Sequence, residues 1–252
     1  MGNAWISRTA FAVSLLFALA LQGANAGLVF VSGDSNVTDS LAGSPNGNTI
    51  FFTNVLQGGT NVRVLDFTNA NAGSAANTDS ELLSFYNGLS GVSASAIVGT
   101  VTAASLAGVN LFLAPLPDDN FSAAEIAVMQ AFLAGGGTLF FLGENNNAVF
   151  STSNAAINSA LSALGSGLSF IPDLVDAGFQ SATGSQIASD TFTSGVTSFQ
   201  YAATSRVGGG TQIFFGTQGE PFVTYSSVPE PGTLALLGLG LAGLAASRRR
   251  KH

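Results

Sequence analysis

The 252-residue chain has no cysteine, a single histidine at its last position and no lysine between Gly27 and Ser227. Without thiols there can be no disulfide, no cysteine-ligated metal and no thiol nucleophile. Without lysine or histidine in that stretch, a serine or threonine has no ordinary base to take its proton, which removes the usual catalytic triads. Positive charge is nearly absent there too: Arg63 and Arg206 face thirteen acids, a formal charge of −11. Such a surface repels nucleic acid and anionic lipid, so neither is an expected ligand, and solubility falls to Ser, Thr, Asn and Gln. What is abundant is apolar. The chain is 46% hydrophobic with 20 Phe, enough for one sizeable core in about 200 residues despite 31 Gly.

Both ends carry sorting features. Residues 1–26 hold one cation, Arg8, an apolar stretch from Phe11 to Leu21, and Ala24-Asn25-Ala26, the small-x-small pattern of a signal-peptidase site, which predicts a signal helix removed after Ala26. At the other end Val228-Pro229-Glu230-Pro231 precedes an apolar run from Leu234 to Ala246 and the basic cluster Arg248-Arg249-Arg250-Lys251. Proline on both sides of Glu230 keeps that segment extended and open to a processing enzyme. The following helix, at ~1.5 Å per residue, reaches only ~22 Å against a hydrocarbon core of ~30 Å, a short membrane helix whose cations stay on the cytoplasmic side. This order of features resembles the PEP-CTERM sorting signal of Gram-negative bacteria, read by membrane enzymes of the exosortase family. The resemblance covers Val228 to Lys251. It implies export through the inner membrane, a transient anchor, and delivery to the cell surface or the extracellular matrix of a biofilm, with signal peptidase and an exosortase-type enzyme as partners. The domain organisation is then a signal peptide (1–26), one globular domain (27–227) and a sorting tail (228–252).

Inside the domain, short continuous apolar runs alternate with helical spacings. Residues 28–32, 109–114 and 138–142 read as buried strands and 62–67 as a further strand. Asn48 to Leu56 and Asp79 to Asn87 read as helices, the second opened by a Thr78/Glu81 capping box. Ser122 with Glu125 forms a second box, Phe121 and Ile126 a hydrophobic staple, and Gly135-Gly136-Gly137 a stop. Ile157, Leu161 and Leu164 mark a further helix, and the runs 196–202, 212–215 and 221–225 look like strands finishing one edge of the sheet. Alternating strands and helices of about ten residues predict an α/β fold with a mostly parallel sheet covered on both faces.

The segment from Ser105 to Asn145 resembles the centre of class I glutamine-amidotransferase-like domains, with a strand, a helix opened by Ser-x-x-Glu, a Gly-Gly turn and a buried strand in that order. Asp190 to Val196 is similar to a later loop of many such domains. The resemblance implies a flavodoxin-like three-layer sandwich. It does not carry the activity, because the turn that holds the family's cysteine reads Gly143-Glu144-Asn145 here and no histidine follows in the domain.

Chemistry by carboxylates alone remains. Asp34, Asp118, Asp119 and Glu144 follow predicted strands, where open α/β sheets place their ligands. Two carboxylates at suitable separation hydrolyse glycosidic bonds, and carboxylates mixed with Asn side chains suit Ca²⁺. The duller account of the same residues is turn and cap chemistry. The reading is therefore an exported, non-catalytic surface or matrix protein with no required cofactor and with exopolysaccharide as the candidate ligand; the alternatives are a carboxylate-dependent polysaccharide hydrolase and a glycan-binding module.

Overall fold

The computed structural model describes residues 26–42, 45–66, 77–228 and Gly240. The expected signal helix with Ala24, the Pro229-Glu230-Pro231 motif, the C-terminal membrane helix and Arg248 to Arg250 lie outside the described residues. Along the rest run β1 (Gly27–Ser32), α1 (Gly47–Val55), β2 (Asn61–Leu65), α2 (Thr78–Gly88), β3 (Ser93–Ile97), β4 (Leu111–Pro115), α3 (Ala123–Ala134), β5 (Thr138–Leu142), α4 (Ser151–Ala163), β6 (Ser169–Val175), β7 (Gln180–Thr183), β8 (Ser198–Tyr201), β9 (Thr204–Gly208), β10 (Thr211–Phe215) and β11 (Pro221–Val228).

Seven strands make the main sheet in the order β10-β11-β1-β5-β4-β2-β3. The five strands from β1 to β3 in that order are parallel, while β11 lies antiparallel on β1 and β10 antiparallel on β11. The mixed α/β fold with a mainly parallel sheet is thus as the periodicity indicates. The strand order departs from the 2-1-3-4-5 of a flavodoxin-like sheet in one respect: β2 to β5 follow that pattern as its strands one to four, but the fifth place is filled by the chain's first strand.

Every residue of β4 and β5 is buried because both faces are covered. On one face Phe30, Val64, Leu113 and Phe140 pack with Phe51 and Phe52 of α1 and Leu82 and Tyr86 of α2. On the other, Val31, Phe112 and Phe141 meet Met129 and Leu133 of α3 and Ile157 and Leu161 of α4. The first layer is strongly aromatic: Phe52 stacks on Phe140 at 5.6 Å and Phe199 on Phe214 at 3.9 Å, contacts that add directional preference to simple burial.

Several local expectations need correction. Thr78 is buried inside the first turn of α2 and caps nothing; Asn77 precedes the helix, and Glu81 accepts a bond from the Thr38 hydroxyl at 2.7 Å instead of closing a box. The box at Ser122 and Glu125 is present. The run 196–202 does not join the main sheet, for β8 pairs with β7 in a separate two-stranded ladder, and β6 pairs with β9 in another. β10 and β11 do finish an edge of the main sheet. The last strand extends to Val228, which pairs with Gly27, so the first residue of the sorting tail belongs to the sheet.

Candidate functional site

The parallel strands all end at one edge of the sheet, the carboxyl edge, and the helices that follow them begin there. Between β2 and β4 the chain leaves toward opposite sides, which makes this a switch point of the sheet, a usual place for a ligand; β1 and β5 form another, with α1 on one face and α4 on the other. A crevice of about 260 Å³ lies at the first of these, lined by Asp66 after β2, Thr100 after β3, Asp118 and Asp119 after β4, and Glu125 in the first turn of α3. Burial pushes the Glu125 carboxyl up, but the amides of Val101 and Ser122 and the Ser122 hydroxyl outweigh it and hold the group below its ordinary value.

Asp34 and Glu144 are elsewhere on the same edge, after the neighbouring strands β1 and β5. They form a buried node, with Asp34 fully enclosed and Glu144 1% exposed. The Asp34 carboxylate accepts from the Asn36 amide at 2.8 Å, the Asn36 side chain at 2.9 Å and the Ala202 amide at 2.6 Å. Glu144 accepts from the Ser35 hydroxyl at 2.8 Å, Asn36 Nδ2 at 3.1 Å, and the Asn145 amide and side chain at 3.0 and 2.9 Å. Its main chain is clamped as well: Asn154 Nδ2 and Ser205 Oγ both donate to the Glu144 carbonyl, at 2.9 Å each. Asn36 Nδ2 donates to both acids and so ties them together.

Among the described residues no arginine or lysine side chain reaches this node, and the effect on its protons follows. Burial, reinforced by the charge of Glu144, pushes Asp34 up to about 8, against the opposing pull of the Ala202 and Asn36 donors. Burial also raises Glu144, against the donors from Asn145 and Ser35. Two like charges in one enclosure titrate as a pair, and the pair retains a proton well above the ordinary carboxylate range.

The four acids singled out in the sequence therefore do not share one site. Asp34 and Glu144 come together; Asp118 and Asp119 line the crevice with Asp66 and Glu125. Among the described residues no group of three or more His, Cys, Asp or Glu side chains is arranged to hold a metal ion. Of the partners that organise the node, Asn36 and Asn145 are the asparagines that accompany Asp34 and Glu144 in the sequence as possible Ca²⁺ ligands; Asn154 and Ser205 were not anticipated, and nothing local marks Ser205 or the Ala202 amide, the latter 168 positions from Asp34.

Among the described residues no helix is long and apolar enough to cross a membrane. No curated protein sequence matches the chain. Among solved structures it is similar to the mmIFT52 N-terminal domain, with 19% identity and a TM-score of 0.41 over 56% of this chain and 70% of that one, too slight a likeness to assign a fold. The family model that matches is the PEP-CTERM protein-sorting motif, over residues 227–251, and it supports recognition of the tail by an exosortase-type membrane enzyme and export with a transient membrane anchor before surface display.

Proposed function

We propose that this is a surface or extracellular-matrix protein of a Gram-negative bacterium whose 27–227 domain is a non-catalytic binding or structural module, with exopolysaccharide as its ligand class. The sorting motif at residues 227–251 carries this reading. Support from the domain is the state of its most perturbed acids: Asp34 and Glu144 are enclosed, and the donors around them engage all four carboxylate oxygens, which suits a structural clamp and leaves no oxygen directed at a substrate. The amidotransferase-like reading of Ser105 to Asn145 is part of the proposal. In it, the turn after β5 that would present a nucleophile presents instead the buried Glu144.

The switch-point crevice favours a second reading, a hydrolase or glycan-binding module using Asp118 or Asp119. A glycan array probed with the processed domain, followed by turnover assays on glycan, ester and amide substrates, separates the two. Binding without turnover is the expected result; turnover abolished by Asp118→Asn or Asp119→Asn overturns the non-catalytic reading. Intact-mass spectrometry of surface material tests the sorting reading. The expected mature chain begins at Gly27 and lacks Arg248 to His252, and a mass that retains that tail in a strain with the processing enzyme argues against it.

A further inference from the structure

We infer that the amino edge of the sheet is a membrane-apposed docking face, which holds the domain on a phospholipid surface with its acidic carboxyl edge pointing outward for as long as the sorting tail is attached. The inference rests on the sorting reading of residues 227–251 and adds an orientation to it.

Three observations converge. First, the two chain ends that carry sorting features leave the fold at one point. Gly27 opens β1, Val228 closes β11, and the two are ladder partners at the amino edge. Gly27 is wedged there, since a Cβ at this position would overlap the Leu133 carbonyl at the end of α3. Second, the link to the apolar run is short. Only residues 229–233 separate Val228 from Leu234, and at no more than ~3.6 Å per residue they span at most ~18 Å. A domain of this size is about 40 Å across, so the tether cannot reach around to invert it.

Third, charge is segregated along the strand axis. The turns that form the amino edge, at 57–60, 89–92, 107–110, 135–137, 165–168 and 208–210, contain no Asp, Glu, Lys or Arg. They are Gly, Ala, Ser, Thr, Asn, Gln, Leu and Val, and between them lies a neutral cleft of about 480 Å³ that Ala26 helps to line. Of the acids, Asp34, Asp66, Asp118 and Glu144 instead follow parallel strands and Asp79 and Glu125 occupy the first turns of α2 and α3, while Asp173 lies beside Asn146 after β5, and Asp176 and Glu220 lie at the turn that leads into β11, toward the same carboxyl edge. Asp190, bonded by the Tyr225 hydroxyl beside the middle of β11, is an exception. An anionic headgroup layer repels the carboxyl edge and tolerates the amino edge, so electrostatics and tether length favour the same pose.

The lack of cysteine makes the test clean. Single substitutions Ser90→Cys and Ala107→Cys place a fluorophore on exposed turns of the amino edge; Thr100→Cys and Asn120→Cys place it on exposed positions of the carboxyl edge. Each chain keeps its sorting tail and is reconstituted into vesicles of phosphatidylethanolamine with a minority of phosphatidylglycerol, some carrying a headgroup quencher. Flotation with the vesicles is expected for all four, with quenching severalfold stronger at positions 90 and 107. A Gly-Ser insertion of about 20 residues after Val228 adds roughly 25 Å of mean reach and should bring the ratio toward one. Equal quenching at the four positions without the insertion, or stronger quenching at 100 and 120, overturns the orientation while leaving the anchor intact. Failure to float refutes the anchor and the orientation together.

Discussion

The buried pair of Asp34 and Glu144 should make the domain lose stability as the solution becomes alkaline. The unfolded chain releases the Asp34 proton near the ordinary value of 3.8, whereas the folded chain keeps it to about 8. Between those two values the native state binds more protons than the unfolded state, so stability is fully present at the low end and is withdrawn as pH rises toward the folded value. One retained proton corresponds to a slope of at most about 1.4 kcal/mol per pH unit. For a domain of about 200 residues, a kcal/mol moves the melting midpoint by roughly 2–4 °C, so the midpoint should fall by up to about 3–6 °C per unit across the window. Asp39 and Asp79, both raised chiefly by burial, add to the trend with the same sign. Glu125 and Asp176 are lowered and act oppositely: their contribution is present above the ordinary carboxylate value and disappears as pH falls through their folded values, which gives the profile an acid limb. Thermal melts of the processed chain at fixed ionic strength, from about pH 5 to about pH 8.5, read the slope directly. Glu144→Gln removes the like charge that helps raise Asp34. The variant should be less stable near pH 5 by about 1–2 kcal/mol, because the new amide cannot accept from Asn36 as the carboxylate does, yet it should close much of that gap by pH 8.5. A flat midpoint in the unsubstituted chain, or the same slope in both proteins, would refute the claim that this pair holds a proton.

Other outcomes follow from neighbouring features. Asp176 sits at φ 49 and accepts from the Tyr201 hydroxyl, the Thr217 amide and the Thr217 hydroxyl; Asp176→Ala should cost about 1–3 kcal/mol in urea denaturation, with Asp176→Gly costing less because glycine relieves the left-handed backbone. Gly33 exchanges backbone bonds with Phe222 and Ser205, and a Cβ there would overlap the Ser205 carbonyl, so Gly33→Ala should destabilise by about 1–3 kcal/mol or more and disorder the node beside it, visible as a flattened alkaline slope. Millimolar Ca²⁺ against chelator should leave the melting midpoint unchanged, since Asp34 and Glu144 already spend their oxygens on protein donors and Asp118 and Asp119 lie at the separate crevice; a rise of several degrees would restore calcium as a ligand.

How much of this was legible in the sequence depended on whether the signal was local. The strands β1, β4 and β5 were visible because burial on both faces makes them nearly unbroken apolar runs, β2 because Val62 and Val64 alternate with exposed or half-buried neighbours, and α3 because its box, staple and stop lie within fifteen residues. β3 was not, since Ser93 to Ile97 is an edge strand of small and polar residues with no apolar run to announce it. β6, β7 and β9 escaped for a related reason: they pair two by two outside the main sheet, and their partners are set by contacts across the fold and not by periodicity. The Thr78/Glu81 box failed by competition, as the Thr38 hydroxyl takes the glutamate that the motif would have used locally. At the candidate site the acids were legible and their grouping was not. Which acid follows which strand can be read from the chain, but that β1 lies beside β5, bringing Asp34 to Glu144 and leaving Asp118 and Asp119 to β2 and β4, is a fact of strand order.

The scarcity of cations ties these observations together. With Arg206 engaged by Asp173 in the one ion pair among the described residues and Arg63 bonded to its neighbour's carbonyl, the domain cannot neutralise its acids with side-chain charge. It disposes of them in two ways. Those at the ends of the parallel strands are largely left at the water-facing edge, where solvent and salt screen them. The two that are enclosed are solvated internally by Asn, Ser and backbone donors, a substitute that supplies hydrogen bonds but no net positive charge, so the Coulomb cost of bringing the acids together is not cancelled. Donor bonds alone therefore stabilise each carboxylate without removing the repulsion between the two, and retaining a proton is the remaining way for the pair to lower its energy. The same shortage that excludes triad catalysis from the domain is thus what makes its interior sensitive to alkali.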